Sequence, residues 1–416
     1  MHRLLLLYVL FFAYSNIVFC ASQKIKVNAG SWAGYLKLND NTSLPFEFSI
    51  DKDPASKTGY TYTVINGEER ITLINDYLED DSLRIDFPAF ATKLIFKVSN
   101  KNTLIGFWIN PNKSGNYRVP CVLLKGYSKR FNNPKLFVST TQSVNINGRW
   151  ETTFDPGKDD AYKAVGLFEQ LGNSLQGTFL TETGDFRYLD GNVVGDSIYL
   201  SCFDGSHAFL FTGLFSNNRI TGKFYSGKHW QGEWSAVYNE SFELRNPDSL
   251  TYLLKNEPVT FKLKNLDGSY YTFPNPSLLN KVVIIQIMGT WCPNCMDESR
   301  FFKTLYEKYH SQGLEIVSVC YESGSDEKQQ IERIKTLQQR LNVSFTYLLG
   351  GSANKGLASQ HFNMLNQIIS FPTAIFIGKD GSVKRIHTGF NGPGTGKYYE
   401  EYAVETDSLI RSLLAE

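Results

Sequence analysis

The chain predicts a multidomain α+β protein in which two amino-terminal antiparallel β units, barrel-like or curled meanders, precede a carboxy-terminal α/β domain. Three observations carry that expectation. From Ala29 to about Val237, short alternating or apolar runs are punctuated by Gly, Asn and Asp, the pattern of antiparallel sheet. Within that stretch, strand-like segments recur at a near-constant offset. Beyond Val259, nearly continuous apolar runs alternate with segments of helical periodicity, as in a buried sheet covered by helices.

The size and composition agree with this division. A chain of 416 residues exceeds one ordinary domain of about 100–200 residues. Aromatic residues make up 14% of it, and so much ring surface needs a core, which excludes a largely disordered protein. The 42 basic and 41 acidic residues leave a formal charge of +1, so no electrostatic field points to a nucleic-acid partner.

Residues 1–21 read as a signal peptide. Arg3 is followed by the apolar run Leu4–Ala13, then by small and polar residues at Ser15, Asn16 and Ala21. That run falls short of the roughly 18–20 residues that cross a bilayer. The expected location is therefore outside the cytoplasm, in the periplasm, with a lipid anchor on Cys20 as a variant. Bulky Phe19 stands where a lipidated signal carries a small residue.

The first β-rich domain is expected over 22–143 and the second over 144–240. In the first, Tyr35–Leu38, Tyr60–Ile65, Ile71–Ile74, Leu83–Phe87 and Leu94–Val98 read as strands, and Asn66-Gly67 as a hairpin connection. Asp81–Ile85 is echoed by Asp196–Leu200 and Leu94–Phe96 by Phe209–Phe211, each 115 residues on; Leu104–Phe107 is echoed by Ile220–Phe224 116 residues on. Trp32 and Trp150 open the two series. In the second domain, seven or eight strands with very short turns between Phe168 and Trp234 suit an up-and-down barrel or a strongly curled meander, closure removing exposed edges. A filled interior with a docking role is expected of it. Residues 241–258, with Pro247 and Pro258, read as a linker.

In the last domain, residues 259–416, Val282–Met288 is a strand apolar on both faces and Leu314–Cys320 a second. Helices are expected over Cys295–Tyr309, Glu327–Leu341, Leu357–Leu365 and Tyr399–Leu414, and a hairpin over Thr373–Ile377 and Val383–Ile386. The glycine-rich stretch Gly389–Gly396 lacks the lysine of a phosphate-binding loop and reads as a connection.

The six cysteines, at 20, 121, 202, 292, 295 and 320, are too scattered for a disulfide framework but isolate one close pair. Cys121, Cys202 and Cys320 sit in apolar runs and read as buried, inert thiols. Trp291-Cys292-Pro293-Asn294-Cys295 falls where a buried strand becomes a helix. Free backbone N–H groups and the positive dipole end of the first turn stabilise a thiolate on Cys292, while the spacing puts Cys295 within reach of a mixed disulfide formed there. Pro293 suits the first helical position. Structural zinc needs four ligands, and neither a second close cysteine pair nor paired histidines are present nearby. A static structural disulfide is the other bland reading.

The motif, with Leu266-Asp267-Gly268 ahead of the buried strand, Glu298 after the cysteines and Ser370-Phe371-Pro372-Thr373 leading into Ala374–Gly381, resembles the thioredoxin superfamily, and more closely the exported TlpA/ResA-like thiol-disulfide reductases. The resemblance covers about Phe261 to the end. It implies a thioredoxin-like domain with Cys292 as the exposed nucleophile, Cys295 as the resolving thiol, and Pro372 as a cis proline presenting the Phe371 backbone to an extended substrate. It further implies disulfide-containing or dithiol protein substrates, an upstream membrane thiol-disulfide electron donor, and no metal or organic cofactor. Gln286 stands six residues before the nucleophile, where thioredoxin has an acid; proton exchange with Cys295 then falls to water or to Glu298. A reductase is favoured over an oxidase, although the Pro293-Asn294 order departs from the family and leaves the direction open. Two alternatives stand beside it: a β-domain binding module with a redox-inactive attachment, and a peroxiredoxin-like peroxidase. The latter needs a hydroxyl residue three positions before its cysteine, where this chain has Gly289.

Overall fold

The computed structural model describes residues 26–79, 82–88, 90–113, 115–126, 130–131 and 143–416; the expected signal peptide and Cys20 lie outside them. The alternating apolar pattern of the first unit becomes nine strands: β1 (Gly30–Lys37), β2 (Ser43–Lys52), β3 (Tyr60–Asn66), β4 (Glu69–Thr72), β5 (Ile74–Glu79), β6 (Ser82–Asp86), β7 (Lys93–Asn100), β8 (Thr103–Ile109) and β9 (Arg118–Lys125). They form one antiparallel sheet in the order β4-β3-β2-β1-β9-β8-β7-β6-β5. Its two edge strands are not paired with each other, so the sheet is an open half-barrel.

The second unit carries β10 (Gly148–Phe154), β11 (Tyr162–Leu171), β12 (Ser174–Thr181), β13 (Gly184–Asp185), β14 (Leu189–Val194), β15 (Ser197–Phe203), β16 (Ala208–Ser216), β17 (Arg219–Ser226) and β18 (Trp230–Tyr238). Its order runs β11-β10-β18-β17-β16-β15-β14-β12-β13, and an additional β11–β12 pairing closes the ring. Shifted by nine, this is the connectivity of the first sheet. The difference is that β12 bridges β11 to β14, whereas among the described residues β3 pairs with β2 and β4 alone. The closed interior is filled by rings: Phe154, Phe179, Phe211, Phe224 and Trp234 are all buried, with Phe211 and Phe224 stacked at 4.3 Å.

The open sheet completes its core with residues of its neighbour. Phe203 of β15 lies against Phe46, Phe87 and Trp108, at ring separations of 4.7, 5.5 and 5.3 Å. Asn66 donates to Phe203 O and accepts from Phe203 N. The hairpin expected at Asn66-Gly67 is displaced by one residue: Asn66 pairs with Glu69, leaving Gly67 and Glu68 as the turn, because the Asn66 side chain is committed to the second unit.

The third sheet contains β19 (Phe261–Asn265), β20 (Tyr270–Phe273), β21 (Val282–Met288), β22 (Leu314–Glu322), β23 (Thr346–Ser352), β24 (Thr373–Ile377) and β25 (Val383–Thr388), ordered β20-β19-β23-β22-β21-β24-β25. The β21–β22 and β22–β23 pairs are parallel and the β21–β24 and β24–β25 pairs antiparallel. Helices α1 (Pro293–Tyr309), α2 (Glu327–Leu341), α3 (Lys355–His361) and α4 (Lys397–Ala415) flank it. Every residue of β21 is buried. Val283, Ile285 and Ile287 join the core containing Phe261, Phe362 and Leu365; Ile284 and Met288 join Phe302 and Leu305 of α1 and Ile410 of α4. This is the thioredoxin fold.

The helix expected over Leu357–Leu365 is shorter. Asn354 caps it at Leu357 N, and after His361 the chain bends so that Leu365 can form a bridge with Leu253. That bridge, with Tyr252 N and Asn366 bonded to each other's segments, docks part of 241–258 on this domain. No helix among the described residues is long and apolar enough to cross a membrane.

Candidate active site

Cys292 and Cys295 form a disulfide, with Cα atoms 5.3 Å apart, where β21 hands over to α1. Cys292 is the N-cap residue and its Sγ accepts a hydrogen bond from Cys295 N at 3.2 Å. An N–H aimed at this sulfur would stabilise it as a thiolate, since the first turn of a helix has no intrahelical acceptors for its donors. Pro293 occupies the first helical position, where its missing N–H leaves no gap. Across the site the Phe371–Pro372 peptide is cis, and Phe371 O lies 3.5 Å from Cys292 Sγ, within reach of the S–H of a reduced cysteine. Thr373 begins β24, its Oγ1 donating to Ser370 O at 2.9 Å. Trp291 donates from Nε1 to Tyr321 O at 2.9 Å and sets its ring edge-on to Phe371, itself stacked on Tyr321.

Beneath the pair lies a closed polar network. Gln286 donates to Glu298 Oε2 at 2.9 Å, while its Oε1 accepts from Ser299 and Ser318 at 3.2 and 3.0 Å. Glu298 is completely buried, and its Oε1 has no hydrogen-bond partner among the described residues. Burial pushes its carboxyl up to about 8, against the opposing hydrogen bond from Gln286. It lies three residues beyond Cys295 on α1, so the two share a face. At neutral pH Glu298 therefore sits beside the resolving cysteine holding a proton.

One expectation is corrected. The resemblance implied an exposed Cys292, but this residue is only 6% exposed and Cys295 is wholly buried. Pro293 and Asn294 are buried too. The cause is the β units, which pack over this end of the helix. Ser206, in the β15–β16 turn, donates to Trp291 O at 3.3 Å. Thr183 O accepts from Ser370 Oγ at 3.1 Å. Asn294 donates to Asp185 Oδ2 of β13 at 3.2 Å and to Phe390 O at 3.0 Å. A cleft of about 640 Å³ opens beside Asn294, walled by Thr183, Phe186, His207 and Phe209.

Arg187 gathers carboxylates from all three parts: Asp297 of α1, Glu69 of β4, and Asp204, 3.2 Å from its Nε. Burial pushes Glu69 and Asp185 upward, with Arg187 opposing. For Asp204, burial is outweighed by His207 and Arg187, which hold it at about 2. None of Asp185, Arg187, Asp204 or Ser206 was singled out from the sequence. Asp185, Arg187 and Ser206 lie some 85 to 207 residues from the groups they touch in the other parts, and nothing in a single chain marks such pairings. The structure does bring together every residue that the sequence did single out: Gln286, Trp291 to Cys295, Glu298 and Phe371 to Thr373. Cys121, Cys202 and Cys320 are buried and unpaired, as their apolar surroundings predict.

Comparison with known proteins agrees with this geometry. Residues 255–386 match the AhpC/TSA family. The thiol-disulfide oxidoreductase ResA of Halalkalibacterium halodurans is 29% identical over 135 residues, 32% of this chain and 67% of that protein. The thiol:disulfide interchange protein DsbE of Tatumella citrea is 30% identical over 154 residues, 36% of this chain and 75% of that protein. Among solved structures, a putative protein disulfide isomerase from Bacteroides thetaiotaomicron shares 18% identity, covering 40% of this chain and 93% of its own at a TM-score of 0.30. The carboxy-terminal domain belongs to the thioredoxin-fold thiol-disulfide oxidoreductases, and the protein is an enzyme of thiol-disulfide chemistry.

Proposed function

We propose that the protein is an exported, TlpA/ResA-like reductase of protein disulfides, with 22–143 and 144–240 as β domains covering the catalytic domain 259–416. The observation that carries this reading is the Cys292–Cys295 disulfide at the start of α1, with Cys295 N–H on the Cys292 sulfur and Phe371 O beside it. In the reduced enzyme the Cys292 thiolate attacks one sulfur of a substrate disulfide; that S–S bond breaks, a mixed disulfide forms, and the departing thiolate takes a proton. When Glu298 is ionised, it takes the proton of Cys295, which attacks Cys292; the second substrate sulfur leaves as a thiolate and receives that proton back from Glu298, and the Cys292–Cys295 bond closes. The substrate gains two electrons and two protons, which a thiol-disulfide donor at the membrane restores. Trp291 and Phe371, both partly exposed, shape the surface that substrate meets, and Asn294, Pro372 and Thr373 are packed beneath it.

The peroxidase reading is weaker. Gly289 lacks the required hydroxyl, and the neighbouring Thr290 hydroxyl is bonded to Glu322 Oε2 at 2.6 Å. Burial of Cys292 under the β units favours the other alternative, a binding protein whose redox domain is held inactive. Insulin reduction by dithiothreitol, followed as turbidity, decides between them. Wild type is expected to accelerate it and Cys292→Ser to leave the background rate; a wild type no faster than background overturns the reductase.

A further inference from the structure

The residues between two such cysteines govern how readily the pair accepts electrons, and here one of them is held by another domain. Asn294 uses both amide hydrogens on partners outside α1: Asp185 Oδ2 from the barrel at 3.2 Å and Phe390 O at 3.0 Å. Asp185 in turn accepts from Gly392 N at 2.6 Å through the same oxygen and from Arg187 N at 2.6 Å through Oδ1. Every one of these bonds is accepted from an N–H group, the coordination of an ionised carboxylate. Its position is fixed from three sides, by its own strand, by the segment leading into α4 and by the dipeptide between the cysteines.

This carboxylate does not stand alone. The charged and titratable groups facing the first turn of α1 are Asp185, Arg187, Asp204 and His207 from the barrel, Glu69 from the half-barrel, and Asp297 and Arg300 from the helix itself. Glu69, Arg187, Asp204, Arg300, Pro293 and Met296 line one small cavity against that turn. Four carboxylates face two guanidinium groups and His207, so the carboxylates outnumber the cations even with a charged imidazole, in a buried setting where charges are weakly screened. A thiolate on Cys292 draws stability from the helix N-terminus. Negative charge beside that terminus takes part of it away.

We propose that Asp185 of the barrel is a positioning residue for the redox pair: by holding Asn294 and placing a carboxylate at the start of α1, it disfavours the reduced form and poises the enzyme as an electron donor. The barrel thereby does more than cover the domain; it sets the direction that the Pro293-Asn294 order leaves open. This rests on the thiol-disulfide reading above.

The test is equilibration of the full-length protein with glutathione. Two glutathione thiols reduce the Cys292–Cys295 bond, giving two protein thiols and one glutathione disulfide, so protein and glutathione exchange two electrons and two protons. Asp185→Asn keeps the shape and an oxygen acceptor but removes the charge. It is expected to shift the equilibrium about tenfold toward the dithiol, roughly 30 mV in potential, and to let Cys292 ionise at a pH on the order of one unit lower, read by thiolate absorbance. A role confined to structural support would leave that ionisation unmoved. Should Asp185→Asn fail to fold, Asp185→Ser, with a smaller oxygen acceptor, carries the same expectation. An unchanged equilibrium and titration in a folded variant, beside a reversible wild type, overturns this inference alone. A wild type with no reversible dithiol overturns the reading beneath it.

Discussion

Glu298 accepts a hydrogen bond from Gln286 Nε2 at 2.9 Å through one oxygen, while its other oxygen is buried without a partner. Thioredoxin's acid at the strand position is replaced here by an amide, and the titratable group has moved to the helix, one turn beyond Cys295.

That relocation gives a signed pH dependence. Glu298 titrates near 4.5 in the unfolded chain and about 8 in the folded one. Between these values the folded state holds a proton that the unfolded state has lost. The stabilisation is fully present below pH 4.5 and disappears as pH rises through about 8. Glu298→Gln should therefore gain stability relative to wild type as pH rises across this window, by on the order of a few kcal/mol, measured by denaturant titration. In the insulin assay, the wild-type rate should inflect near pH 8 and the variant's should not.

Cys295→Ser removes the resolving sulfur and leaves the Cys292 nucleophile. Mixed with a disulfide substrate, this variant should accumulate a covalent adduct visible on a non-reducing gel and cleared by dithiothreitol, while turnover falls to background. Cys292→Ser should give no adduct. An adduct on Cys292→Ser would reverse the two roles.

Arg187→Met leaves Asp297, Glu69 and Asp204 without their shared cation. Removing one partner from a buried ion cluster costs about 3–5 kcal/mol, and calorimetry should show a lower Tm. Arg187→Lys should recover little, because a single ammonium cannot replace a planar fork that meets three carboxylates at once.

Gly389 ties the barrel to the redox domain by being small. It sits at φ +80°, and a Cβ there would come within 2.8 Å of Thr183 C. Gly389→Ala should cost about 1–3 kcal/mol and push the β12–β13 turn away from Ser370. After reduction, the variant's Cys292 should react with iodoacetamide faster than that of wild type; equal rates would show that this contact does not shield it.

What the sequence determined is what short-range chemistry determines. Period-two alternation pointed to the β units, the near-constant offset suggested that the two are similar, and Val282–Met288 marked itself as doubly buried by carrying only one polar residue, Gln286. Cys292 and Cys295 were legible because their spacing is the mechanism, and Pro372 only through the resemblance of Ser370-Phe371-Pro372-Thr373 to the thioredoxin superfamily. Glu298 was legible as an acid on the right helix; its burial, and hence its proton, was not.

Tertiary structure decided what covers the site. Closure of the barrel depends on whether one strand finds a second partner, and the open sheet depends on Phe203 arriving from the next domain. The occlusion of Cys292, the convergence of three domains on Arg187 and the grip of Asp185 on Asn294 join groups 85 or more residues apart. A side chain advertises its own preference for burial or helix along the chain, but a partner that distant is selected only when whole sheets have packed.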